Sequence, residues 1–163
     1  IIGFLKSRFY SALTVDRRLY YLHAELQIRT GRASVSCLID SGATDCLISS
    51  KILQELDVTP CPLVSPISLQ LADGNTSVIT SMLPHVQLRL SNQQTVTVSL
   101  FVADIADDVI LGIPFSAKYN PIVDWRGRTV TIEVKGRKVV HATTDRPSNN
   151  SVSSLSKLFL TRN

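Results

Sequence analysis

The chain has 163 residues, 44% hydrophobic and 18% charged, with a formal net charge of +4. That length suits one domain with tails and a buried core, and the composition is that of a soluble globular protein. Arg and Lys are scattered, grouped only at Arg17-Arg18 and from Arg126 to Arg128, so nucleic-acid binding is not indicated.

The apolar opening Ile1-Ile2-Gly3-Phe4-Leu5-Lys6 is too short for a membrane span, and no signal-peptide pattern follows it. The missing initiator Met points to a fragment or a processed piece. Residues 1–19 read as an N-terminal extension or a partner-packing strand. Period-two alternation then begins, the mark of half-buried strands. Leu22, Ala24, Leu26 and Ile28 share a face, and Thr30-Gly31-Arg32 turns the chain. Val35-Ser36-Cys37-Leu38-Ile39 forms a second strand that runs into Asp40-Ser41-Gly42. Ser49 or Ser50 can cap a short helix with Ile52, Leu53 and Leu56 on one side.

Ile67, Leu69 and Leu71 make the next stripe, broken by Ala72-Asp73-Gly74-Asn75 before Thr76 to Thr80 continue. An Asp-Gly pair between two β-prone runs signals a hairpin. Val86, Leu88 and Leu90 alternate, Ser91-Asn92-Gln93-Gln94 turns, and Val96, Val98, Leu100 and Val102 alternate again. Pro114 can open a helical turn through Phe115 to Lys118. Val130, Ile132 and Val134 lead through Lys135-Gly136 into Val139-Val140, a further hairpin. Residues 143–163, rich in Ser and Asn, read as a linker or disordered tail. Short strands at this spacing predict an all-β sandwich or barrel occupying residues 20–142.

Cys37, Cys46 and Cys61 are odd in number and lack CxxC spacing, and His23, His85 and His141 lie far from them. The expectation is reduced thiols in the cytoplasm, with no metal and no cofactor. Cys37 and Cys46 flank Asp40 and invite a redox role, but Cys37 alternates with Leu38 on a core strand, which favours packing. Trp125 reads as a core or interface anchor. The sequons at Asn75-Thr76-Ser77 and Asn149-Asn150-Ser151 read as accidents of composition.

Asp40-Ser41-Gly42 alone could be a plain β-turn, with Asp first and Gly relieving strain. Its surroundings say more. Leu38-Ile39-Asp40-Ser41-Gly42-Ala43-Thr44 resembles the active-site signature of retropepsins, and is most similar to the gypsy-type branch of long-terminal-repeat retrotransposons. Val109-Ile110-Leu111-Gly112-Ile113-Pro114-Phe115 resembles the family's apolar-apolar-Gly element, and Asn120-Pro121-Ile122-Val123-Asp124-Trp125 its Asn-Pro-x-x-x-Trp segment. The resemblance implies a small closed acid-protease barrel with a flap hairpin and one or two short helices.

It also implies an aspartic endopeptidase acting on the polyprotein that contains it, in the cytoplasm or in virus-like particles. Peptide hydrolysis by carboxylates needs two of them sharing a proton across a bound water. This chain has one such motif, so the resemblance implies a homodimer in which Asp40 of each copy meets on the axis. By the same resemblance Ser41 braces the paired turns, Gly42 lets backbone approach substrate, and Ala43, Thr44 and Asp45 line the cleft with Ile110 and Gly112. Many retroviral members carry Asp where Thr44 stands. Asp73, Gly74 and Asn75 correspond to the flap tip over an extended peptide. Three other readings compete. A serine hydrolase lacks a GxSxG elbow and a nearby His. A domesticated domain would dimerise and bind protein without cutting. A retropepsin-like domain of a ubiquitin-shuttle protein would carry ubiquitin-related flanking domains.

Overall fold

The computed structural model describes residues 19–70, 74 and 76–146. The expected extension over 1–18, the flap-tip residues Asp73 and Asn75, stripe residue Leu71, both sequon asparagines and the tail beyond Arg146 lie outside these. Among the described residues ten strands and two short α-helices follow in order: β1 (Tyr21–Ile28), β2 (Gly31–Ile39), β3 (Leu47–Ser49), α1 (Ser50–Leu56), β4 (Cys61–Gln70), β5 (Thr76–Leu90), β6 (Thr95–Ala103), β7 (Val109–Leu111), α2 (Ile113–Tyr119), β8 (Ile122–Asp124), β9 (Thr129–Val134) and β10 (Arg137–Ala142). A 3-10 turn over Ser91–Gln93 joins β5 to β6.

Six strands close on themselves in the order β1-β2-β7-β3-β6-β5, with β5 returning to β1 through Ala24 opposite Leu90. Closure removes the edges that an open sheet would expose. Alternation is read correctly where it is strict: Leu22, Ala24 and Leu26 point inward on β1, and Val96, Val98 and Leu100 on β6. They pack with Val35, Ile48, Leu88, Val109 and Leu111 into a single core. Two strands escape the periodic reading because each is too short to show a period. β3 is buried at all three residues, and β8 has only three. Strand β3 lies parallel to β6 and antiparallel to β7.

The hairpin β4–β5 departs from expectation. Sequence alternation treats Ile67 and Leu69 as half-buried; Leu69 is so, but Ile67 is exposed, as is most of β4, and Val64 and Val78 are open to solvent. Among the described residues β4 pairs with β5 alone, at the edge of the sheet and outside the closed ring of six strands. Strand β5 is also longer than the two runs read from its sequence. Its halves join across a register shift between Leu83 and Val86, where His85 has a positive φ of 50°. Pro84 is tolerated there because a bulge needs no ladder N–H.

Both helices start as their caps direct. Ser49 Oγ accepts the Lys51 N–H, and Ile52 and Leu53 face the core. Pro114 sits in the first turn of α2, whose Phe115 and Tyr119 are buried. Strands β8, β9 and β10 form a separate three-stranded sheet, in the order β10-β9-β8. Beyond β10 the chain returns to the barrel: Thr144 exchanges backbone hydrogen bonds with Tyr21, and Arg146 pairs with Asp107 at 3.2 Å. The Tyr21 hydroxyl donates to the same Asp107 at 2.6 Å. Burial first, and the neighbouring Asp107 carboxylate second, push that phenol well above its ordinary range.

A buried polar network stitches the hairpin β9–β10 to the β5–β6 turn. Gln94 donates its amide to the Ile132 carbonyl at 3.0 Å and the Arg137 carbonyl at 3.3 Å, so its oxygen faces His141 at 2.6 Å. His141 therefore carries its proton on Nε2, and Nδ1 accepts from Ser91 Oγ at 2.7 Å. Burial lowers the His141 pKa, since charging the ring would cost desolvation. The unfolded chain binds this proton more readily than the folded one. Stability is thus full above the ordinary histidine range, about 6.5, and is lost as pH falls from there through the lower folded value. Urea denaturation should show the midpoint falling between pH 7 and pH 5.5. In His141→Gln this slope should be reduced, with stability lowered by about 1–3 kcal/mol at pH 7 from the disrupted network.

Candidate active site

The end of β2 delivers Asp40 to a tight turn. The Asp40 N–H donates to the Leu111 carbonyl at 3.1 Å, continuing the parallel β2–β7 ladder by one bond. Its carbonyl then accepts the Ala43 N–H at 3.2 Å, closing the turn, while its side-chain Oδ1 accepts the Gly42 N–H at 2.8 Å. The carboxylate is therefore oriented by its own loop, with no salt bridge to it among the described residues. A Cβ on Gly42 would stand 3.1 Å from that oxygen, a close approach that glycine relieves.

On the other side, the Ile113 N–H donates to the Ala43 carbonyl at 2.9 Å. Leu111 and Ile113 thus grip the turn at two points, with Gly112 between them. A Cβ on Gly112 would collide with the backbone carbonyl of Asp45 and stand 2.5 Å from that of Ala43. Gly112 has a negative φ of −89°, so space rather than backbone torsion demands glycine. Behind the loop, Cys46 is buried, and burial pushes its thiol upward against weaker stabilisation by the N–H groups of Gly112 and Phe115. Cys37, wholly buried on β2, is raised further by desolvation. Both are packing groups held as thiols, in line with the core-strand reading.

The structure brings Asp40, Ser41, Gly42, Ala43, Thr44, Asp45 and Gly112 into one loop cluster. Ser41 and Thr44 are exposed, and Asp40 is half-buried. The Thr44 hydroxyl donates to Asp45 Oδ2 at 3.0 Å. Ile110 is half-buried on β7 between Leu38 and Leu47. The β4–β5 hairpin is rooted one strand from the loop: Met82 of β5 pairs with Phe101, which pairs with Leu47 and donates to the Cys46 carbonyl at 2.9 Å. Gly74, at the hairpin's far end, has φ +86°, a left-handed turn conformation that suits glycine.

Trp125 is not a core residue. It is 64% exposed and meets the Tyr20 ring edge-on at 4.8 Å. Two supporting residues went unread in the sequence. Asp108 Oδ2 accepts the Ser36 N–H at 3.0 Å, and its carbonyl accepts the Ser49 N–H at 2.9 Å, tying β2 and β3 to the start of β7. Tyr20 holds the Ile39 N–H on its carbonyl at 3.1 Å. The adjacency of Asp107-Asp108 to the Val109 element was the available signal for the first; a tyrosine outside any period offered none for the second.

A family model described as the PEG10/RTL1 protease domain matches residues 36–138, from the middle of β2 into β10. The chain belongs to the PEG10/RTL1 protease domain family. It is accordingly a retropepsin-like protease domain of retrotransposon origin, as the Asp40 and Gly112 motifs lead one to expect. The fold agrees with that of the retroviral protease-like domain of Ddi1 from Leishmania major, at a TM-score of 0.56 and 15% identity, over 81% of this chain and 96% of that one. A protein of unknown function from Legionella pneumophila aligns at a TM-score of 0.38 and 11% identity, over 67% of this chain and 94% of its own, a likeness too loose to describe the fold. No curated protein matches the sequence. Among the described residues no helix is long and apolar enough to cross a membrane.

The clasp makes a direct prediction. Gly112→Ala must displace backbone rather than a flexible side chain, so it should destabilise by about 3 kcal/mol, at the upper end for overpacking. A urea unfolding series checks it; an unchanged midpoint would mean the loop yields without cost.

Proposed function

We propose that this domain is an aspartic endopeptidase whose site is completed by a second copy of the chain, and that it cuts extended segments of the polyprotein containing it. The observation that carries this reading is the Asp40 carboxylate, fixed through Oδ1 by the Gly42 N–H on a turn that Leu111 and Ile113 grip from both sides. Membership of a protease-domain family supports it.

Two such turns facing each other across a twofold axis would hold one water between two carboxylates. Two acids that close share a proton and titrate as a unit. The charged one takes a proton from the water as its oxygen attacks the scissile carbonyl carbon. The protonated one donates to the carbonyl oxygen, giving a neutral tetrahedral diol. Collapse then breaks the C–N bond as a proton passes to the leaving amine and the carboxyl product is released. Each Ser41, exposed beside its Asp40, would bond across the axis and brace both turns. Gly42 leaves room for substrate backbone. Ala43, Thr44, Asp45 and Ile110 would form the cleft wall, with Gly112 beneath the loop that carries it.

The β4–β5 hairpin, with Gly74 at its end and Asp73 and Asn75 beside it, would close over the peptide as a lid. A peptide in this setting is held by main-chain hydrogen bonds, with alternate side chains in pockets.

Asp40→Asn retains the oxygen that accepts from Gly42, so folding and assembly should be kept. Cleavage of the containing polyprotein should fall at least about 100-fold, the scale of a lost general acid or base. Equal cleavage by wild type and Asp40→Asn would refute the catalytic role of Asp40. Specific activity of wild type should also fall on dilution, as the half-sites separate.

A further inference from the structure

The outer face of the barrel carries a pocket of about 500 Å³, walled by β1, β2, the end of β5 and the turn that follows it. Strand register explains its chemistry. Ala24 and Leu26 on β1, Ala33 and Val35 on β2, and Leu88 and Leu90 on β5 are buried in the core. The residues between them therefore face outward. Glu25 stands opposite Ser34 on one side and opposite Arg89 on the other, so these three form one row across the sheet. Arg32, two residues from Ser34, shares their face and completes the wall. Ser34 lies six residues ahead of Asp40, about 20 Å of extended chain, so the pocket is separate from the Asp40 turn.

Charge in this row is unevenly matched. Glu25 accepts from the Gln27 amide at 2.9 Å and pairs with Arg32 at 3.5 Å, both through Oε1. Arg89, its direct neighbour on β5, is in no ion pair among the described residues. Its guanidinium donates to the Gln93 side-chain oxygen, and the residue is half-buried. A guanidinium carries five N–H donors, and that bond uses one. A cation held partly out of water without a counter-charge loses hydration that a fixed anion would replace. The Arg32–Glu25 pair is itself open to water, with side chains 59% and 40% exposed. Such a pair is weak, so Arg32 can turn to a second anion at little cost.

We infer that this pocket binds a small phosphomonoester whose carbon body carries hydroxyl groups. Arg89 and Arg32 would hold the phosphoryl group from two sides, and the Ser34 hydroxyl would donate to it from β2. A forked guanidinium suits phosphate and carboxylate alike. Three donors set around a cavity match the three terminal oxygens of a phosphomonoester, whereas a carboxylate offers two in one plane. Glu25, between the two arginines, would accept a hydroxyl of the carbon body and would repel a bare anion. The volume is that of an ordinary small-molecule site, with room beyond the phosphoryl group.

Isothermal titration calorimetry of the full 163-residue chain with ribose 5-phosphate tests this, at about 0.15 M salt to screen diffuse attraction. Saturable binding is expected, tighter than that of inorganic phosphate, while ribose alone should not bind. Arg89→Gln should weaken binding at least about tenfold, the scale of a lost charged hydrogen bond. Arg137→Gln, an exposed arginine on β10, should bind like wild type. Glu25→Gln should tighten inorganic phosphate and narrow the advantage that ribose 5-phosphate holds over it. Thermal melts of the same variants separate folding from binding. Should Arg89→Gln fold poorly, Arg89→Lys keeps the charge without the fork and should still weaken binding. Absence of saturable binding by wild type would overturn the site, as would wild-type affinity in folded Arg89→Gln. Equal weakening by Arg137→Gln would reduce the effect to overall charge and overturn it too. Equal affinity for inorganic phosphate and ribose 5-phosphate would overturn the ligand class. Tighter binding of a phosphoserine peptide would do the same, and would reassign the pocket to a protein segment. None of these outcomes bears on the protease reading.

Discussion

The backbone clasp around Asp40 is the constraint on which this structure depends. Three consecutive residues of a single segment act together: the Leu111 carbonyl takes the Asp40 N–H, the Ile113 N–H takes the Ala43 carbonyl, and Gly112 passes between carbonyls that would exclude any side chain. Such a contact forms only when β7 is inserted between β2 and β3, and that insertion makes the barrel close. The orientation of one carboxylate and the closure of the fold are thus a single event. Long-range pairing is needed before the loop is rigid, because nothing within residues 40–45 could supply the Leu111 and Ile113 partners.

Around that clasp the fold divides its labour by burial. The strict alternators on β1, β5 and β6 bury their apolar faces in the core and contribute to hydrophobic stabilisation. The β4–β5 hairpin leaves Val64 and Val78 in water, an arrangement that adds little to stability. Exposed apolar groups on such a hairpin gain burial only when something lies against them. The hairpin is thus not a wall of the core. The register shift near His85 lets one strand serve both purposes, since it separates the half of β5 that pairs with β4 from the half built into the barrel.

Symmetry sets the terms of any chemistry here. In the proposed mechanism a chain with one Asp-Ser-Gly turn brings two carboxylates together by repeating itself, so dimerisation would be part of the reaction rather than an accessory. Tyr20 links the Asp40 strand to Trp125 at the end of β8, so a displacement of the small sheet would be felt at Ile39. Buried thiols at Cys37 and Cys46 take no part beyond packing. Burial raises both thiols, and Cys46 fills space behind the turn.

The sequence by itself determined the parts that depend on local rules. Alternation at Leu22 to Leu26 and Val96 to Leu100 marks inward faces, because a strand's side chains alternate regardless of its neighbours. Ser49 and Pro114 announce helix starts, and the Asp40 and Gly112 motifs carry the family in their residue types. Tertiary structure alone decided the rest. Ile67 carries a core-like pattern but lies exposed, since burial depends on what packs above a strand and not on its own residues. Trp125, apolar and large, turned outward onto Tyr20 for the same reason. The three-residue strands β3 and β8 are shorter than any period can register, and their pairing is set by partners distant in the chain. The meaning of Gly112 belongs to the same class. Its residue type is plain in the sequence, but the physical reason for it, two carbonyls pressed against its α-carbon, exists only once the barrel has closed.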